Sequence, residues 1–90
     1  MSSDIMDDVT NKALKFISEN PALVQGIASM ADSFRNSRKE EGKDVSMEDM
    51  AMFIFDSFVD ITTVNGHSPF VDARMMNVVM AIADSSGYEL

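Results

Sequence analysis

The sequence predicts an all-α fold, a small bundle of about four helices centred on an apolar hairpin of the third and fourth. Three observations predict it. Apolar residues recur at helical spacing in four segments, and each segment opens on its own start signal. No stretch alternates apolar and polar residues as a half-buried strand would. With 90 residues the chain makes one helical domain, 1–90, near the lower end of the usual size range.

Ser3 or Asp4 can cap the first helix. Asp4, Asp7 and Asp8 lie in its first turns, where the helix dipole favours negative charge. Ile5, Met6, Val9, Ala13, Phe16 and Ile17 make its apolar face, with Lys12, Lys15 and Glu19 on the other side. Asn20-Pro21 then places a capping residue before a proline at the first helical position. The second helix carries Leu23, Val24, Ile27, Met30, Ala31 and Phe34 on one face. Its end dissolves into the charged, apolar-free stretch Arg35–Lys43, with Gly42 as the stop.

Ser46-Met47-Glu48-Asp49 fits the capping-box pattern and opens a third helix running to about Thr63. Val64-Asn65-Gly66-His67 reads as a turn. Ser68-Pro69 repeats the cap-plus-proline signal, predicting a fourth helix from there to a stop at Ser85-Ser86-Gly87. These last two helices are apolar nearly all round: ten of fifteen residues from Met47 to Ile61, and eleven of fourteen from Phe70 to Ala83. A helix of that kind is normally covered on every side. Two of them in so short a chain form either a wrapped core or a surface that meets another chain.

Composition narrows the function classes. Fifteen acidic against seven basic residues give a net charge of −8. Such a field repels phosphate backbones and anionic membranes, so direct nucleic-acid binding and membrane attachment are not expected. There is no cysteine, which excludes disulfides, thiolate chemistry and cysteine metal sites. The acidic start Met1-Ser2-Ser3-Asp4 carries no basic region before an apolar stretch, so no signal peptide is read. The longest apolar runs, Met50–Phe55 and Val78–Ala83, are six residues each, against about twenty for a bilayer span. A soluble, cytoplasmic protein is expected.

Four patterns bear on function. Nine methionines, six of them (Met47, Met50, Met52, Met75, Met76, Met80) in the apolar hairpin, suit either an irregular core or an adaptable docking surface. Asp49, Asp56, Asp60 and Thr63 make one polar line along the third helix. That line reads as a solvated edge or as an imitation of duplex phosphates. Arg35, Arg38, Lys39 and Lys43 are four of the seven cations and complement the dipole late in the second helix. His67 is the single histidine, and the loop counted from Asp60 fails the calcium-loop pattern. Its fifth position is Val64, its glycine falls at position seven, and its twelfth is Val71.

An acidic four-helix chain of this length invites comparison with acyl carrier proteins, whose prosthetic group sits on the serine of an Asp-Ser-Leu motif. Asp32-Ser33-Phe34 and Asp56-Ser57-Phe58 come nearest. That family needs its serine at the start of a long amphipathic helix, and neither site provides one. Catalysis has little to stand on either, since no nucleophile stands beside an oriented base. No enzyme activity, cofactor or metal is expected.

The expectation is a small acidic protein–protein interaction module, acting as a homo-oligomer, adaptor or inhibitor. It binds its protein partner, or a second copy of itself, through Met52, Phe53, Phe55, Met75, Met76 and Val79. The alternative is an acidic decoy of the kind small phage-encoded inhibitors represent, using Asp49, Asp56 and Asp60 to block a basic groove. A carrier or ligand-binding bundle is a remoter third.

Overall fold

A computed structural model describes the backbone of Ser3–Leu90 and the side chains from Asp8 onward. The expected cap at Ser3 or Asp4, the charge of Asp7 and the faces of Ile5 and Met6 lie outside the described residues. Four helices follow in order: α1 (Ser3–Glu19), α2 (Pro21–Glu40), α3 (Met47–Ile61) and α4 (Met75–Ser86). The all-α bundle predicted from periodicity is the fold observed.

One residue, Asn20, separates α1 from α2. Its carbonyl accepts the Val24 N–H at 3.2 Å, as a residue preceding a helix should. Its side chain turns backward, however, and donates to the Phe16 carbonyl at 2.8 Å, closing α1 rather than capping α2. Pro21 costs the second helix nothing, because a first-turn N–H has no intrahelical acceptor. α2 does not dissolve at Arg35 but continues to Glu40. It ends where Gly42, at φ 76°, reverses the chain. There Lys43 N–H reaches the Arg38 carbonyl and Gly42 N–H the Lys39 carbonyl, both at 2.9 Å. A glycine-terminated motif of this sort satisfies the last carbonyls and needs no apolar anchor of its own.

α3 opens as the capping signal predicts, with the Asp49 N–H donating to the Ser46 hydroxyl at 3.1 Å. The start of α4 differs from expectation. Ser68-Pro69 forms a turn, and the helix begins six residues later at Met75. The Ser68 oxygen is engaged elsewhere. Thr62 directs its hydroxyl proton to the Phe58 carbonyl at 2.8 Å, so Ser68 donates to the Thr62 hydroxyl, also at 2.8 Å, and accepts from the Phe70 N–H at 3.2 Å. This local turn carries the buried Phe70 and Ala73 into the interior before the helix starts. Upstream, Asn65 (φ 54°) and Gly66 (φ 83°) form a two-residue loop closed by paired hydrogen bonds between Val64 and His67.

The apolar α3–α4 pair carries much of the core, and α4 is its axis: it packs against α1, α2 and α3. Val78, Val79 and Ile82 are buried there, and α3 contributes Met50, Ala51, Ile54 and Phe58. At one end three rings close the interior, Phe70 lying 5.4 Å from both Phe16 and Phe58 between ring centres. No helix among the described residues is long and apolar enough to cross a membrane.

Candidate functional site

Periodicity on α2 and α3 leaves one seam with unusual contents. Phe34 and Phe53 both lie at the margin of their helices' buried faces, so each is half-buried. They meet across the seam as a stacked pair, ring centres 4.5 Å apart and planes 9° from parallel. Stacking of this kind contributes about 0.5–1.5 kcal/mol beyond simple burial. It also holds two aromatic faces rigid near solvent.

Three shallow grooves meet at this pair, and Phe53 lines all of them. One, about 450 Å³, runs along α2 over Met30 and the serines Ser29, Ser33 and Ser37, which repeat at four-residue spacing. A second, about 430 Å³, lies between Arg38 on α2 and Asp49, Met52 and Asp56 on α3. The third, about 330 Å³, continues along α3 over Asp56, Ser57 and Asp60. The grouping of Arg38 with Asp49 and of Phe34 with Phe53 is that of two antiparallel helices. Met30 and Met52 are exposed at 40 % and 55 %, so the seam is apolar at its floor and soft at its edges.

Charge along the seam is uneven. At the Asp49 end, the Arg38 guanidinium lies 5.3 Å over the Phe34 ring and 3.7 Å from Glu41, which also meets Lys43 at 3.7 Å. These exposed pairs contribute little energy but roughly neutralise that end. Asp56 and Asp60 at the opposite end are exposed and, among the described residues, have no cationic partner.

The six expected interface residues do not form one surface. Met52 and Phe53 belong to the α2–α3 seam. Phe55, two positions on and about 200° away around the helix, packs against the core, as does half-buried Met75. Met76 is exposed at 44 % on α4, with Met80 one turn along at 47 %. Val79 must be corrected. It is fully enclosed within its own chain and belongs to the core, because α4 touches a helix on three sides and has no apolar side to spare there. Asp49, Asp56 and Asp60 are all exposed along α3, as the stripe predicted, with Met52 seated between the first two. Sequence reasoning places Met30 and Phe34 on the apolar face of α2, weighs Ser33 only as a carrier-type serine and passes over Ser29 and Ser37. The four-residue spacing of Ser29, Ser33 and Ser37 was the signal that could have marked that groove.

The basic cluster is partly spent on the chain itself. Gly87, at φ 72°, turns the chain after α4 so that Tyr88 lies under Arg35, its ring centre 5.1 Å from the guanidinium. Arg35 also donates to the Glu89 carbonyl at 3.2 Å, while Leu90 packs on the core. The Tyr88 hydroxyl is enclosed and, among the described residues, has no hydrogen-bond partner. Burial therefore pushes its phenol above the ordinary value, against the opposing pull of Arg35 and with a small push from Asp32. His67 stands exposed in its turn, and no three acidic or histidine side chains gather as a metal site among the described residues. Ser33 and Ser57 lie inside helices, unlike the serine of a carrier protein.

No match exists to set beside this geometry: neither the protein-family models, nor the curated proteins, nor the solved structures hold one for this chain.

Proposed function

We propose that the protein is a small acidic interaction module that binds a protein partner through the α2–α3 seam. One observation carries the reading, the stacked Phe34–Phe53 pair left half-exposed between Met30 and Met52. Interface centres are enriched in aromatic residues and methionine, and rigid rings lose little entropy on docking. Met52 and Phe53 thus keep the role that the apolar hairpin suggested for them, but their neighbours come from α2 rather than α4. Nothing about the site calls for a cofactor or for catalysis. The protein acts in the cytoplasm, where a cysteine-free chain is at home.

Affinity capture from native lysate with the unaltered chain and with Met52→Asp tests this. Partners retained by the first and lost by the second support the seam as the binding surface. Capture that is indifferent to Met52→Asp, Met30→Asp and both together would move the interface elsewhere.

A second reading is favoured by the exposure of Asp49, Asp56 and Asp60 along one line. In it the chain is an acidic decoy occupying a basic groove of a nucleic-acid-handling protein, as an inhibitor would. Replacing all three by Asn separates the two readings. The decoy loses nearly all binding, whereas an apolar seam with a charged rim loses only a modest part.

A further inference from the structure

We infer that the occupant of the α2–α3 seam is a basic amphipathic helix of a partner protein, an inference that rests on the interaction-module reading above. The shape of the seam comes first. It is a trough between two antiparallel helices, and a further helix is the element that fills such a trough with its i, i+3, i+4 and i+7 side chains. An extended segment would need an unpaired sheet edge, and the described residues contain only the isolated Val64–His67 bridge. Length comes second. From Asp49 to Asp60 the seam follows twelve residues of α3, roughly 16 Å, or about three turns of a docked helix.

Charge then selects the sign of that helix. The rim carries Asp44, Asp49, Asp56 and Asp60 against Arg38 and Lys43, and both cations already face Glu41. The remaining field is negative and strongest over Asp56 and Asp60, on a chain of net charge −8. A helix with apolar side chains on the Phe34–Phe53 floor and Lys or Arg above Asp56 and Asp60 is complementary in both respects. The geometry also orders the partner's charges, since its cations gather at the end over Asp60 while the Arg38 end tolerates neutral or acidic residues. A second copy of this chain fits less well, because it brings eight more net negative charges to the same field.

The test uses the full chain and a displayed library of helix-forming peptides of about 15 residues, the length at which isolated helices begin to be populated. Selection is for binding to the unaltered chain, with counter-selection on Met52→Asp, a substitution at an exposed position that leaves the core alone. The expected result is enrichment of sequences with apolar residues at helical spacing, a positive net charge and the cations clustered at one end. The best peptide, followed by fluorescence anisotropy, should bind about tenfold more weakly to Asp56→Asn/Asp60→Asn and lose much of its salt dependence there. Its charge-reversed version should bind more weakly still.

Enrichment of neutral or acidic peptides that still need Met52 would overturn the basic helix and leave the seam as an interaction surface. The same division follows if no peptide is enriched and light scattering shows a dimer that Met52→Asp dissociates, for the occupant is then a second copy. No enrichment with a monomer would overturn both the occupant and the seam.

Discussion

The Arg74 N–H donates to the hydroxyl of Thr10, 2.9 Å away and 64 positions earlier in the chain. Arg74 is the residue from which α4 departs, so a side chain of α1 satisfies the start of the central helix. Helix starts usually find their acceptor within the next turn's own sequence. Here Thr10 is 3 % exposed, and the bond it accepts is partly buried.

Replacing Thr10 by Val keeps its shape and deletes the acceptor that the Arg74 N–H uses. Stability should fall by about 1–2 kcal/mol, with Thr10→Ser recovering most of it. Urea unfolding followed by circular dichroism reads both. Equal stability of Thr10→Val and the unaltered chain would mean that water serves α4 equally well.

Two glycines should respond in opposite directions. Gly26 lies exposed inside α2 with open space around it, and alanine there should stabilise by about 0.5–1 kcal/mol through helix propensity. Gly66 also has open space but sits at φ 83°, so alanine there should destabilise the turn between Val64 and His67. Melting temperatures of the two variants, measured side by side, should lie on either side of the unaltered chain.

Phe58 is fully buried and touches the rings of Phe16 and Phe70, whereas Met52 is more than half exposed. Phe58→Ala should cost about 3–5 kcal/mol, a large part of the few to ~13 kcal/mol that a chain of this size holds. Met52→Ala should change stability by no more than about 0.5 kcal/mol. If thermal unfolding showed comparable losses for both, Met52 would be structural and the seam would lose its standing as a surface.

Tyr88 is the only tyrosine, so its phenolate absorbance reports one group. Burial raises its pKa in the folded chain above the ordinary 10.0. The folded state therefore favours the neutral phenol. Its stabilising contribution is complete below pH 10 and is lost as pH rises through the folded value. Spectroscopic titration should give a midpoint above that of a free tyrosine, followed by loosening of the chain after Gly87. A midpoint at or below the free value would show the hydroxyl in contact with water.

Much of the architecture is written locally. The 3.6-residue recurrence of apolar side chains, Pro21 and Gly42 around α2, the Ser46 cap and the Gly87 stop each act within a few residues of themselves, so the sequence alone determines four helices, the starts of α2 and α3 and the stops of α2 and α4. The beginning of α4 was not legible in this way. Ser68-Pro69 has the chemistry of a helix start, but Thr62 engages the serine and Phe70 is drawn between Phe16 and Phe58. Long-range packing outweighs a local preference of about a kilocalorie. The same reason divides the candidate site. Sequence determined that α3 and α4 carry more apolar surface than a small bundle readily covers, and that Asp49, Asp56 and Asp60 share one line. Only the tertiary structure decided that Val79 faces inward and that Phe53 finds Phe34, because which side of an all-round apolar helix is left open depends on where its neighbours lie.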